Sequence, residues 1–325
     1  MEDDDDLIRL VEDRLRMSLS ARRGFMDDGA GRLVFGEADG LPGLVVDRYG
    51  NALVAQLLSA GMDRIRPMLI ARLSALCAPD LIVERSDTGS REQEGLPAVR
   101  GVLAGRLPDD GLVRFTAGGM SLVADVLEGQ KTGFYLDQKD NWAALRPFGK
   151  GRRILDVCCY TGAFGLSLML GGGVSLVGVD SSRRALDLAV EHARLNGMDG
   201  RSAFVAGDAG AILAGLAASG ERYDFVIVDP SALARTKKHR TLALRAYRAL
   251  NSAALKATAP GGLLFSCSCT PWVGALELAG IVAGLAREAG RCARLLEVRG
   301  QSRDHVAHPL MPETRYLTGT LWHIG

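Results

Sequence analysis

The chain has 325 residues, of which 47% are apolar and 24% are charged, a composition typical of a soluble protein with room for two domains. The formal net charge is +1, which excludes a generally basic nucleic-acid binder, so any nucleic-acid contact must use a local patch. No apolar run approaches the ~20 residues of a membrane helix, and the acidic start, Glu2 to Asp6, is unlike a signal peptide. We therefore expect a cytoplasmic protein with no membrane contact.

The six cysteines stand at positions 77, 158, 159, 267, 269 and 292. No C-x-x-C spacing occurs, and no histidine lies near enough to complete a zinc pattern. In a cytoplasmic protein disulfides are also rare. We therefore expect neither a metal site nor a disulfide framework.

The first part of the chain predicts a helix followed by a small β-rich domain. Apolar residues at helical spacing over 6–23 predict a helical extension within residues 1–29. One further helical stretch is predicted at about 62–77. Short β-type runs are Gly43 to Asp47, Leu53 to Leu57, Leu81 to Glu84, Leu112 to Phe115 and Ser121 to Val126. We expect residues 30–128 to form a small α+β domain of two β-hairpins around one helix that contributes to substrate binding.

From about residue 150 the pattern alternates between strand and helix. The strand candidates are Arg153 to Cys158, Val174 to Val179, Ala203 to Val205, Phe225 to Val228, Leu263 to Cys267 and Tyr316 to Ile324. The helical stretches are 163–170, 182–195, 209–218, 239–258 and 273–289. This alternation predicts an α/β, Rossmann-like domain over residues 129–325, with a mostly parallel sheet and a ligand at the carboxyl ends of its strands.

The turn after the first of these strands has the features of a nucleoside cofactor site. A dinucleotide fingerprint aligned on Gly162 and Gly165 would need a glycine where Tyr160 stands, which disfavours a pyrophosphate ligand. S-adenosylmethionine has no phosphate. It needs a tight turn and an acidic residue that suits its ammonium and sulfonium charges, and Gly162 and Asp156 supply both. We therefore predict S-adenosylmethionine as the cofactor.

Two further strand ends carry acidic residues. Asp180, 18 residues after Gly162, can accept hydrogen bonds from the ribose hydroxyls, and Asp208 can accept one from the adenine amino group. Each aspartate alone could instead be a helix N-cap, because both precede helices. Three acidic strand ends in one α/β unit favour the cofactor. The predicted cofactor-binding residues are Asp156, Tyr160, Thr161, Gly162, Asp180, Ser181, Asp208, Ala209, Asp229 and Gln138.

The fourth and fifth strands end in a carboxylate and a thiol, at Asp229 and Cys267. Carbon 5 of cytosine is a poor nucleophile, but a thiolate that adds to carbon 6 converts the ring into an enamine that can accept a methyl group at carbon 5. The carboxyl group of Asp229, close to ring nitrogen 3, would stabilise the charge that develops there. Such catalysis needs a partly exposed cysteine. The alternative interpretation is that Cys267 is a buried core residue, and Cys269 is the rival nucleophile.

A basic segment follows the fourth strand. Its members are Arg235, Lys237, Lys238, His239, Arg240, Arg245 and Arg248. It is the best candidate patch for nucleic-acid phosphates, and the alternative is a solvated helix face.

Several segments, in order from about residue 30 to the end, resemble the RlmI-type 23S ribosomal RNA cytosine-5 methyltransferases. They are Gln130 to Gln138, Gly36 to Gly50, Tyr160-Thr161-Gly162, Ser266-Cys267-Ser268, and the tail with His308-Pro309, Pro312-Glu313-Thr314 and Tyr316-Leu317. The resemblance implies a class I methyltransferase domain, a small β-rich domain and a ribosomal RNA substrate. It also implies that Cys267 is the nucleophile and Asp229 the acid.

The sequence departs from this family in three places. Residues 1–29 leave no room for the RNA-binding PUA domain with which the family usually begins. Ser231 stands where the family usually has a second proline, which affects the target-base pocket. The pair Cys158-Cys159 is unusual for the turn.

Two alternatives stay open beside the RNA cytosine-5 methyltransferase. One is a methyltransferase that acts on a guanine amino group or a small molecule, which would not need the thiol. The other is a catalytically silent RNA-binding module, which would not need to retain Asp156, Asp180, Asp208 and Cys267. A homodimer is compatible with the sequence.

Overall fold

The computed structural model describes residues 2–26, 29–234 and 236–325. Two compact units make up the chain. The first unit comprises Met1–Lys139 and Ser302–Thr314, and the second comprises Asp140–Gln301 and Arg315–Gly325.

The first unit contains a five-stranded mixed sheet and a separate hairpin. The sheet has the order β1-β2-β3-β4-β5, with β3 and β4 parallel and the other pairs antiparallel. Its strands are β1 Ala30–Phe35, β2 Leu44–Tyr49, β3 Ala52–Leu57, β4 Leu81–Ser86 and β5 Val99–Gly105. The hairpin pairs β6 Leu112–Ala117 with β7 Met120–Asp125. The helices are α1 Glu2–Arg22, α2 Ala60–Arg64, α3 Arg66–Cys77 and α4 Gly89–Gln93.

The predicted pair of hairpins around one helix was wrong, because β1 and β5 complete a single sheet. Neither strand shows a period-two apolar pattern. Arg32 occupies a buried position of β1, where its guanidinium forms a bidentate pair with Asp47 at 2.8 Å, and β5 contains two glycines. The predicted helix at 62–77 is also two helices, since the backbone leaves the helical conformation at Ile65 and Pro67 lies in the first turn of α3.

The domain boundaries at 29 and 128 differ from the division in the structure. Helix α1 belongs to the first unit, where the Ser18 hydroxyl donates to the Leu33 carbonyl at 2.6 Å. The segment after β7 also belongs there, because the Lys139 ammonium donates to the Ala30 carbonyl at 2.6 Å. Residues 302–314 return to the same unit, and Asp304 accepts a hydrogen bond from the Arg32 backbone at 3.1 Å.

The second unit confirms the predicted α/β, Rossmann-like fold. Its seven-stranded sheet has the order β10-β9-β8-β11-β12-β14-β13, parallel except that β14 runs antiparallel to both neighbours. The strands are β8 Arg153–Val157, β9 Ser175–Asp180, β10 Ser202–Ala206, β11 Tyr223–Val228, β12 Thr258–Ser268, β13 Ala293–Arg299 and β14 Thr318–Ile324. The strand order reverses between β8 and β11, and such a switch point is where α/β sheets bind ligands.

Six helices flank this sheet in sequence, five of them within a residue or two of the predicted stretches. They are α5 Lys139–Leu145, α6 Ala163–Leu170, α7 Arg183–Leu195, α8 Ala209–Ser219, α9 Arg240–Ala257 and α10 Ala275–Glu288. Strand β13 was not predicted. It is one of the two edge strands and leaves Leu295 and Val298 exposed, so it lacks the buried apolar run that identified its neighbour β14. Within the described residues, no helix combines the length and apolar character needed to cross a membrane.

Candidate functional site

The loop after β8, which we call the cofactor turn (residues 158–162), begins beside a buried carboxyl group. Asp156 lies on β8 with 1% of its surface exposed, and its Oδ2 accepts a hydrogen bond from the Gly165 backbone N–H at 2.9 Å. Its Oδ1 is buried and has no hydrogen-bond partner within the described chain. A buried acceptor without a partner is costly, so this oxygen is available to a ligand donor.

Burial raises the pKa of Asp156 from its usual 3.8 to about 8. The negative charges of Asp229 and Asp180 also raise this pKa, whereas the hydrogen bond from Gly165 lowers it. Burial also raises the pKa of the Cys158 thiol to about 12, and the same three aspartates and Asp208 add to that shift. The four predicted acidic strand ends therefore converge on one turn. Such a cluster suits a ligand with positive charge.

The backbone of the cofactor turn is held in conformations that most side chains avoid. Cys158 and Tyr160 have φ values of 61° and 49°, and Gly162 has a φ of 79°. A Cβ on Gly162 would also stand 3.1 Å from the Phe204 ring. The predicted need for glycine at this position therefore has two physical reasons, its conformation and its space. Thr161 is buried, and its hydroxyl has no partner within the described residues.

Asp180 holds the cofactor turn to the start of α7. One carboxylate oxygen accepts the Tyr160 N–H at 2.8 Å, and the other accepts the Ser182 N–H at 2.9 Å. Ser182, not Asp180, caps α7, because its hydroxyl accepts the Ala185 N–H at 3.2 Å. Ser181 is exposed beside them. A carboxylate oxygen has a second lone pair, so Asp180 retains the capacity to accept from ribose hydroxyls.

Asp208 is the N-cap of α8, since its carboxylate accepts the Ala211 N–H at 2.8 Å. Asp208 is therefore a helix cap, as the alternative interpretation expected. Its contact with adenine stays a prediction. Ala209 follows it and packs against the core of the second unit. Gln138 lies in the first unit, in a short 3-10 helix over Leu136–Gln138, and is buried. Its role in cofactor binding also stays a prediction.

The two predicted reaction residues stand at neighbouring strand ends. Val228 of β11 pairs with Ser266 of β12, on strands about 4.8 Å apart. Asp229 and Cys267 are the next residues after this pair. The Asp229 N–H donates to the Val157 carbonyl at 3.2 Å, which joins this end to β8. The reaction pair therefore lies next to the cofactor turn.

The two cysteines of β12 differ in exposure. Cys267 is fully buried, which matches the alternative interpretation of a core residue and not the expected partly exposed nucleophile. Cys269 is partly exposed, and its thiol donates to the Pro230 carbonyl at 3.4 Å. Cys158 and Cys159 are disfavoured as nucleophiles because burial raises the pKa of both thiols.

The predicted basic segment is divided in the structure. Arg240 and Arg248 form ion pairs with Glu277 and Glu288 of α10, at 3.0 and 2.5 Å. Lys237, Lys238 and Arg245 are exposed, and no described carboxylate pairs with them. Arg235, also part of the prediction, lies outside the described residues. No group of three or more His, Cys, Asp or Glu side chains that could hold a metal ion occurs within the described part of the chain.

Sequence reasoning missed His192, whose Nδ1 lies 2.9 Å from the Thr161 carbonyl of the cofactor turn. The signal was present but weak. His192 is the polar member of the buried face of α7, which otherwise contains Ala185, Leu186, Ala189 and Ala193.

Comparisons with known proteins identify the family of the chain. Residues 112–298 match the family model of S-adenosylmethionine-dependent methyltransferases. The chain is 40% identical to ribosomal RNA large subunit methyltransferase I of Aeromonas hydrophila, over 89% of this chain and 73% of the relative. It is also 40% identical to the protein of that name in Serratia proteamaculans, with the same two coverages.

A solved structure with the same fold is a protein assigned as a methyltransferase and complexed with SAH (S-adenosylhomocysteine). The two superpose with a TM-score of 0.84 at 19% identity, over 97% of this chain and 81% of the other. At that identity the likeness concerns the fold alone.

Proposed function

Since the chain belongs to the S-adenosylmethionine-dependent methyltransferases, and within them to the family of ribosomal RNA large subunit methyltransferase I, we propose that it forms 5-methylcytosine in 23S ribosomal RNA. The observation that carries the choice of cytosine carbon 5 is that Asp229 and Cys267 each directly follow a paired residue, Val228 of β11 and Ser266 of β12, beside the cofactor turn. Methylation of a guanine amino group would not need that thiol.

The cofactor turn fits S-adenosylmethionine, which when bound supplies an electrophilic methyl group on a positively charged sulfur. The carboxyl groups of Asp156, Asp180 and Asp229 suit its sulfonium and ammonium charges. The two buried atoms without described partners, Asp156 Oδ1 and Thr161 Oγ1, can bond its polar groups. In this proposal Asp180 accepts hydrogen bonds from its ribose hydroxyls and Asp208 accepts one from its adenine amino group.

The target base is activated by the chain's own side chains. The Cys267 thiol gives its proton to water. The thiolate then forms a bond to carbon 6 of the cytosine, and the π electrons of the bond between carbons 5 and 6 move to carbon 5. The Asp229 carboxyl group hydrogen-bonds ring nitrogen 3, where charge develops. After carbon 5 has been methylated, a base removes its proton, the sulfur–carbon bond breaks and the ring double bond returns.

This mechanism requires the Cys267 thiol to become accessible to the base, because Cys267 is buried. A ring carbon inside a stacked helix is out of reach, so the base must be presented single-stranded or flipped out. Cys269 is partly exposed two residues along the chain and is the competing nucleophile.

RNA phosphates are contacted, in this proposal, by Lys237, Lys238 and Arg245. Their charges are not neutralised by described carboxylates, whereas those of Arg240 and Arg248 are.

Nucleoside mass mapping of 23S ribosomal RNA tests the proposed reaction. The RNA is incubated with the protein and methyl-labelled S-adenosylmethionine, digested to nucleosides and analysed. Labelled 5-methylcytosine is the expected product, and Asp229→Ala should lose it. Label in a guanine derivative would instead support the alternative methyltransferase, in which the thiol has no role.

A further inference from the structure

The strained cofactor turn needs contacts that hold it in place. Two of its residues other than glycine, Cys158 and Tyr160, have positive φ values. Such a residue is strained and persists only where the surrounding structure fixes it. From β9, the Val179 carbonyl and the Asp180 carboxylate accept the N–H groups of Cys159 and Tyr160, at 3.0 and 2.8 Å.

The Thr161 end of the turn is held from a different element. The imidazole of His192, on α7, lies with its Nδ1 2.9 Å from the Thr161 carbonyl oxygen. A carbonyl oxygen can only accept, so Nδ1 carries the hydrogen and donates it. None of the His192 surface is exposed, which means that water cannot replace this donor.

Small residues on the same face of α7 allow this contact. Ala185, Ala189 and Ala193 are all buried on that face. A Cβ on Gly162 would lie 3.3 Å from the Ala189 Cβ, so the helix and the turn approach closely. In this setting the imidazole sets the orientation of the peptide group after Thr161.

Thr161 itself presents a buried hydroxyl without a described partner. A fixed carbonyl therefore fixes a side chain whose hydrogen-bonding capacity is left for a ligand. We propose that His192 is a positioning residue for the cofactor, which holds Thr161 in the orientation that binds S-adenosylmethionine. The inference rests on the proposed cofactor role of the turn. It adds a residue of α7 to those that determine the affinity for S-adenosylmethionine.

Three substitutions separate the hydrogen bond from the packing. His192→Asn keeps an N–H donor at the same number of bonds from the backbone as Nδ1. His192→Gln moves the donor one bond further, to the position of Nε2, and His192→Leu removes it. Asn196→Ala is the matched control, because the Asn196 side chain bonds the His192 carbonyl at 2.7 Å. It weakens the same end of α7 and leaves the imidazole donor to Thr161 in place.

Calorimetry of SAH binding, with melting temperature measured in parallel, gives the readout. We expect His192→Leu and His192→Gln to raise the Kd for SAH about tenfold, the equivalent of one hydrogen bond. His192→Asn should stay within about threefold of wild type, by the same scale. In turnover, the KM for S-adenosylmethionine should rise while kcat at saturating cofactor is retained.

Equal affinities in His192→Asn and His192→Gln would overturn the proposal, and this pair decides it even where His192→Leu does not fold. A loss of melting temperature with wild-type affinity, as expected for Asn196→Ala, would likewise reduce His192 to a packing role. A wild-type protein that does not bind SAH would overturn the cofactor assignment first, and this inference with it.

Discussion

At the scale of single residues, Asp156 is expected to affect both the pH dependence of stability and cofactor binding. Its carboxyl group is buried beside Asp180 and Asp229, and burial with those neighbours raises its pKa to about 8. Without ligand, the folded protein therefore holds a proton on Asp156 across a pH range in which the unfolded chain has lost it. Because folding takes up that proton, this contribution to stability is present at low pH and is lost as the pH rises from about 4 to about 8.

Asp156→Asn should remove this loss of stability. Between pH 6 and pH 8 we expect the free energy of unfolding of the wild type to fall by about 1–3 kcal/mol relative to the variant. Urea unfolding without cofactor measures it. The variant should also bind SAH more weakly, since an amide cannot supply the negative charge.

Other groups titrate in this window, so the difference between the two proteins is the quantity to compare. Burial lowers the pKa of His305 from its usual 6.5. The unfolded chain then binds the proton first, and this contribution to stability grows as the pH rises towards 6.5. Asp208→Asn is the charge-matched control, because asparagine caps helices as well as aspartate does. A pH-independent difference between wild type and Asp156→Asn would show that Asp156 is ionised in the folded protein.

At the scale of elements, acidic residues of α10 neutralise part of the positive charge of helix α9. The sequence placed seven basic residues in one segment, and the structure pairs two of them with α10. Exposed ion pairs contribute little to stability, but they remove charge that RNA could use. The remaining cations of α9 and the turn before it form a smaller patch than the sequence suggested.

Lys237→Glu combined with Lys238→Glu should weaken ribosomal RNA binding and lower the slope of log K against log salt concentration by about 1.5–2, since two phosphate contacts are lost. Filter binding at several salt concentrations measures both quantities. Lys150→Glu with Lys256→Glu changes the net charge equally at exposed positions outside the patch, and should leave the slope close to that of wild type. If both double variants behave alike, the patch is a solvated helix face.

At the scale of the whole molecule, the sequence predicted the second unit better than the first. Parallel strands such as β8 and β11 are buried on both faces and stand out as apolar runs, and the aspartates at their ends could be placed from the order of elements alone. In the first unit, Arg32 of β1 is buried only because Asp47 neutralises it from the next strand. Pairing of that kind depends on tertiary contacts that the local pattern does not contain.

In the candidate site, too, some residues could be predicted from local sequence and others depend on tertiary contacts. The acidic strand ends and Gly162 could be predicted because each follows from strand order and turn geometry. His192 could not, since its partner is the Thr161 carbonyl, which is 31 residues away and has no sequence signature. The burial of Cys267 also depends on its place between β11 and β14, with Gly319 as its partner.

The most direct test of cytosine-5 methylation through a cysteine is covalent trapping with RNA that contains 5-fluorocytosine. The fluorine cannot leave as a proton does, so the bond between sulfur and carbon 6 should persist after methyl transfer. With S-adenosylmethionine present, denaturing electrophoresis should show a protein–RNA adduct in the wild type and in Cys269→Ala, and none in Cys267→Ala. An adduct lost in Cys269→Ala but kept in Cys267→Ala would move the nucleophile to Cys269. The absence of an adduct in every form, together with methylation of a guanine amino group, would contradict the account.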